Sequence, residues 1–125
     1  MAALYILEMI IIKQINRGDV YMVEVENVRD SEQSGFRPAV VIQNDIGNMH
    51  SPTANVALVT SKKKHNLPTH IKLHCRRLTI NSTALLEQIR TVSVKRLGNY
   101  VCTLGSRDMK QINQAIRISL GCGKG

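Results

Sequence analysis

Pro38-Ala39-Val40-Val41-Ile42-Gln43 is a short, β-branched, apolar run closed in front by a proline. It is too short for a buried helix and reads as a buried strand. Working outward, Val20-Tyr21-Met22-Val23-Glu24-Val25 has the same character and opens on the turn Arg17-Gly18-Asp19. Between the two runs lies a polar loop of about a dozen residues, long enough to suggest a function. Downstream, Asn44-Asp45-Ile46-Gly47-Asn48 and Ser51-Pro52-Thr53 are rich in turn formers. Asn55-Val56-Ala57-Leu58-Val59-Thr60 is then a third strand, followed by the charged loop Lys62-Lys63-Lys64 up to Pro68. In His70-Ile71-Lys72-Leu73-His74, Ile71 and Leu73 alternate with polar neighbours, the pattern of a strand with one wet face. Ala84 to Thr91 is a fifth strand, with Leu85, Glu87 and Ile89 on one face and Leu86, Gln88 and Arg90 on the other. Asn99 to Thr103 is a sixth. The period then changes: Met109, Ile112, Ile116 and Leu120 share one helical face, with Ser106 as N-cap, Asp108 in the first turn and Gly121 as the stop. The expected fold is mainly β, a small barrel of five to seven strands with a C-terminal helix.

The chain has 125 residues, enough for one core. Residues 1–16 read as a leader, 17–120 as the domain and 121–125 as a flexible tail. The leader is apolar around Ile10-Ile11-Ile12 but broken by Glu8 and Lys13. It is too short to span a bilayer and lacks the basic start of a signal peptide. No membrane association is expected, and the cytoplasm is the expected compartment. Cys75, Cys102 and Cys122 are widely spaced and odd in number, which argues against a disulfide framework. Charge is lopsided. Residues 1–60 carry four Lys/Arg against seven Asp/Glu, a net −3; residues 61–125 carry thirteen against two, a net +11. That asymmetry points to a polyanion or an acidic protein as partner.

No metal or other cofactor is expected. His70 and His74 sit in a strand, where a spacing of four separates them by about 13 Å, and no carboxylate adjoins them in sequence. Neither a phosphate-binding glycine loop nor a nucleophile elbow is present. Arg37 stands between the polar loop and the buried strand, with its backbone fixed by Pro38. Its guanidinium could grip a phosphate bidentately, or form an ordinary surface ion pair with Glu32 or Asp30. Thr60 and Ser61 end the third strand with hydroxyls able to donate to a phosphate oxygen, or simply to close the strand.

Taken together, several segments strongly resemble the MazF/PemK family, the toxin endoribonucleases of bacterial toxin–antitoxin pairs. They are Arg17-Gly18-Asp19-Val20-Tyr21, Ser31-Glu32-Gln33 to Arg37-Pro38, Val41-Ile42-Gln43-Asn44-Asp45, Asn48, Ser51-Pro52-Thr53, Thr60-Ser61, Leu67-Pro68-Thr69-His70 and Leu86-Glu87-Gln88-Ile89-Arg90-Thr91. The similarity runs from about Arg17 to about Leu120. It implies an SH3-like, CcdB-type barrel, a homodimer, and cleavage of single-stranded RNA at a short site around an A-C step. By this resemblance Arg37 and Thr60 are the catalytic pair. Ser31, Glu32 and Gln33 lie over the RNA groove, and Asn44, Asn48, Gln88 and Arg90 match positions near base recognition. Ser61 joins the substrate-binding set. Ser34 and His50 depart from the family pattern, and the leader is longer than usual.

In the expected reaction the ribose 2′-hydroxyl attacks its own phosphate, leaving a 2′,3′-cyclic phosphate and a 5′-hydroxyl. DNA is therefore not a substrate. An arginine side chain loses its proton only above about pH 12, so Arg37 is expected to clamp the phosphate electrostatically and to donate, not abstract, a proton. Glu32, a backbone carbonyl or water are the open choices of base. The resemblance also implies a MazE-like acidic antitoxin that folds into the basic groove. The competing readings are a CcdB-like toxin that binds a protein and cuts nothing, and a plain RNA-binding SH3-like module.

Overall fold

A computed structural model of the chain describes residues 14–25, 35–62, 66–79 and 81–123. Six strands form one sheet: β1 (Asp19–Val25), β2 (Gly35–Val41), β3 (Thr53–Thr60), β4 (His70–Lys72), β5 (Thr83–Ser93) and β6 (Leu97–Thr103). Among the described residues two helices accompany them, α1 (Asp45–His50) and α2 (Ser106–Leu120), with a 3-10 turn at Val94–Arg96. The sheet order is β4-β5-β3-β2-β1-β6, and every pairing is antiparallel. The fold is therefore mainly β with a C-terminal helix, as expected. The barrel is not closed by hydrogen bonds, because β4 and β6 remain as its two edges.

Alternation sorts the strand residues onto two faces. Tyr21, Val23, Val25, Ala39, Val41, Ala54, Val56 and Leu58 pack together on the first face, joined by Ile15 and Leu97. Val20, Val40, Ala57, Val59, Leu73, Ala84 and Leu86 pack on the second, where Ile112 and Ala115 of α2 cover them. The helix lies there because its Met109, Ile112 and Ile116 stripe needs an apolar surface. Leu120 extends that stripe in sequence but is exposed. Gly121 ends the helix in the left-handed region at φ 66°, a conformation glycine adopts without penalty. The N-cap is Gly105, one residue ahead of the Ser106 expected for it.

Three expectations need correction. The turn-rich segment after β2 holds a helix: Asn44 Oδ1 accepts from the Gly47 N–H at 2.7 Å and caps α1, with Asp45 in its first turn. β5 does not alternate throughout. Leu58 pairs with Leu85 but Ala57 pairs with Ile89, so Leu86, Glu87 and Gln88 are extra residues in a wide bulge. Ile89 and Arg90 consequently face the opposite way from simple alternation with Leu85. Finally, Cys75 and Cys102 form a disulfide, their Cα atoms 7.0 Å apart, and only Cys122 is free. Cys75 follows β4 and Cys102 lies on β6, so the bond joins the two edges that hydrogen bonding leaves open. Sequence spacing gave no sign of this, because the two meet only through the sheet order.

Candidate functional site

Strand register brings Arg37 and Thr60 together. Arg37 pairs with Val23 across β1. On its other side the β2–β3 ladder runs as far as Ala39 and Leu58, and Arg37 and Thr60 each lie two residues past that pair. Both belong to the first face by their phase with Ala39 and Leu58. The two side chains therefore lie on one face at the same end of the sheet.

Each is left ready for an anion. Thr60 is buried, and its hydroxyl oxygen accepts from the Lys62 N–H at 3.1 Å. That bond orients the oxygen and leaves its own proton to donate. Arg37 is half-buried and makes no hydrogen bond or ion pair among the described residues. The ion pair that sequence offered it, with Glu32 or Asp30, lies outside them, as do Ser31 and Gln33. Ser61 is exposed directly after Thr60.

Beside this pair the first face opens into a cavity of about 260 Å³. Val23 and Leu58 form its floor, and Arg90 and Arg96 stand in its wall. β1 and β5 are separated in the sheet by β3 and β2, yet both line it, so the sheet curls strongly at this end. Arg90, paired with Val56 in the β3–β5 ladder, thus shares a cavity with Val23, the residue paired with Arg37. Arg96, on the 3-10 turn, was not singled out in the sequence, and no local pattern marks it. Gln88 is half-buried within the β5 bulge.

Asn44 and Asn48 lie elsewhere. Both follow the far end of β2, six residues past Arg37 at Gln43, a run of about 20 Å. Asn44 is occupied in capping α1. Asn48 is buried; its amide donates to the Gln43 carbonyl at 3.0 Å and accepts from Gln43 Nε2 at 3.1 Å. Within one protomer these two side chains hold α1 in place and do not join Arg37. His50 is exposed at the end of that helix.

The histidine pair serves structure. His74 Nδ1 lies 2.8 Å from Asp108 Oδ1, and its backbone N–H donates to Asp108 Oδ2 at 2.7 Å. Asp108 is buried in the first turn of α2, so these bonds fasten the helix to the β4 edge. His70 Nε2 lies 2.8 Å from Glu87 Oε2, and Thr69 donates to Glu87 Oε1 at 3.0 Å. Burial pushes the Glu87 carboxyl upward, but hydrogen bonds from His70, its own backbone and Thr69 outweigh that and hold it below its usual range. On β1, burial and the neighbouring Asp19 push the Tyr21 hydroxyl up to about 12. It is a neutral core group with no part in the chemistry.

Residues 16–120 match the family described as PemK-like, MazF-like toxin of type II toxin-antitoxin system. An endoribonuclease MazF from Staphylococcus saprophyticus is 44% identical over 110 residues, covering 86% of this chain and 92% of the relative. Among solved structures, an endoribonuclease in complex with its cognate antitoxin from mycobacterial species superposes with a TM-score of 0.76 at 21% identity, covering 89% of this chain and 99% of that one. A MazE–MazF structure from Deinococcus radiodurans gives a TM-score of 0.73 at 18% identity, covering 89% and 99%. At those identities the two structures speak for the fold.

Proposed function

This chain belongs to the family of PemK-like, MazF-like toxins of type II toxin–antitoxin systems, and from that premise we propose that it cuts single-stranded RNA through Arg37 and Thr60. It is an endoribonuclease toxin that a cognate antitoxin neutralises, and it works as a homodimer. The observation that carries the residue assignment is the shared face and sheet end of an arginine without a partner among the described residues and a threonine whose hydroxyl proton is free to donate.

The RNA supplies its own nucleophile. As the 2′-oxygen approaches phosphorus, negative charge grows on the phosphoryl oxygens. Arg37 faces that charge with a planar fork of donors. Thr60 donates to the same phosphate, and its buried, oriented oxygen limits the motion of the group it holds. The 2′-hydroxyl gives up its proton to Glu32, a backbone carbonyl or water, the bond to the 5′-oxygen breaks, and the leaving oxygen takes a proton from Arg37, which regains one from water. The products are a 2′,3′-cyclic phosphate and a 5′-hydroxyl. We assign Ser61, Gln88 and Arg90 to the flanking nucleotides, whereas Asn44 and Asn48 reach RNA only if it runs the length of β2 or crosses to a second protomer. Ser31, Glu32 and Gln33, outside the described residues, are assigned to RNA binding on the family resemblance alone.

The inhibitor suited to this surface is acidic. Residues 61–125 carry a net +11, and an acidic, partly disordered tail would find both charge and groove there. No helix of the described residues is long and apolar enough to cross a membrane. The substrate places the action in the cytoplasm, where transcripts are.

The test is cleavage of a long unpaired transcript by the purified chain. Fragments should carry cyclic phosphate and 5′-hydroxyl ends, form in excess EDTA, and fail to form from DNA. A preparation free of inhibitor that leaves every such transcript intact would overturn the assignment and favour a toxin that binds a protein target. End-sequencing of the fragments would give the recognition site.

A further inference from the structure

Past the last β2–β3 pair, the end of β3 is still paired on its other side. Thr60 pairs with Thr83 of β5, and Thr83 pairs with Lys72 of β4. Opposed residues of an antiparallel ladder point to the same face. Thr60, Thr83 and Lys72 therefore form one cross-strand row, and Arg37, on the same face by its phase with Ala39, lies at the Thr60 end of it. The phase of β4 agrees: Ile71 and Leu73 face the helix-covered core, so Lys72 faces the other way.

Lys72 is exposed and makes no hydrogen bond or ion pair among the described residues. Residues 61–125 hold two carboxylates only, Glu87 and Asp108. Glu87 is taken by His70 and Thr69, and Asp108 by His74. The basic half of the chain thus keeps no spare acid to neutralise Lys72. Two strand spacings, about 10 Å, separate its backbone from that of Thr60. A flexible lysine stem covers part of that span and sets the ammonium beside the phosphate held by Arg37 and Thr60.

We propose that Lys72 is a positioning residue that grips the RNA phosphate adjoining the one that is cut, with Thr83 between them as a polar step in the row. This rests on the RNA-cleaving role of Arg37 and Thr60. Lys72 acts as a point charge, so it fixes where the strand lies and reads no base. It should contribute to holding substrate and little to the bond-breaking step.

Binding of a mixed-sequence 2′-O-methyl oligoribonucleotide, which lacks the attacking hydroxyl, is measured at several salt concentrations, beside kcat and KM on a cleavable transcript. Lys72→Ala should weaken binding about 5- to 10-fold at low salt and lower the slope of log K against log salt by about 0.7, the value for one phosphate contact on a single strand. KM should rise while kcat stays within about twofold. Lys72→Arg should restore the slope. Lys110→Ala removes the same charge from the exposed side of α2, which packs on the other face, and should leave the slope unchanged. An active wild type whose Lys72→Ala variant matches it in slope and KM overturns the role of Lys72 alone. Equal slope losses for Lys72→Ala and Lys110→Ala also overturn it, since the effect is then general charge. A wild type that cuts no RNA overturns the reading of Arg37 and Thr60, and this one with it.

Discussion

The two faces of the sheet are built to different ends. On the second face every device is a fastening. α2 buries Ile112 and Ala115 there, Asp108 takes two bonds from His74, Ser119 donates to the Leu86 carbonyl at 2.6 Å, and the Cys75–Cys102 bond links the free edges. At the Arg37 end of the first face the pattern reverses. Arg37 and Lys72 have no polar partner among the described residues, and Thr60 holds a proton in reserve. Cations left on one face without a partner among the described residues suit a polyanion. The contrast teaches that one sheet can place its cohesion on one side and its chemistry on the other, so that each is altered with little effect on its opposite.

The sharpest way to break this contrast is Arg37→Ala. If the first face is committed to chemistry, kcat should fall by about 10³-fold or more, as for removal of a charged oxyanion donor, while the melting temperature barely moves. A large loss of stability instead would mean that Arg37 is also a fastening. The converse test is on the other side. Serine at both Cys75 and Cys102, or reduction of the wild type, opens a closed loop with a sequence separation of 27. Chain entropy puts that at about 3.5 kcal/mol. The melting temperature should drop on reduction while cleavage below the transition persists; equal melting with and without reductant would show that the edges are held by packing alone.

The smallest expected effect concerns the one tie at the margin of the open face. Glu87 ionises more readily in the folded chain than its ordinary value of 4.5. The stability it contributes is therefore present above pH 4.5 and is lost as pH falls through its lower folded value. Because Glu87 is exposed, the tie should contribute less than about 1 kcal/mol. Urea titrations from pH 3 to 7 should show the Glu87→Gln variant losing less stability on acidification than the wild type. Identical pH curves would deny that the tie exists in solution.

Much of this was legible in the sequence. β-branched runs mark β1, β2 and β3, and a change of period marks α2, because those signals are local. Arg37 and Thr60 stand out only once the family pattern is assembled, yet the register that unites them follows from strand lengths and could not be read without pairing. α1 was read as turns because Asn44, Asp45 and Gly47 suit a turn as well as a capped helix, and six residues are too few to show a period. The Cys75–Cys102 bond depends on which strands become edges. Lys72 was visible as part of a wet face; its place in the row needed both β5 ladders.

The β5 bulge divides that strand into two independently phased lengths. Upstream, Thr83, Ala84 and Leu85 keep step with the end of β3; downstream, residues from Ile89 keep step with its beginning. An insertion scan should feel this division. One added residue beyond Arg90 would turn Thr91 and Val92 to the wrong sides, whereas one added after Gln88 only lengthens a segment already out of register. The middle of β5 is thus where this protein could gain or lose length over evolution without re-sorting either core.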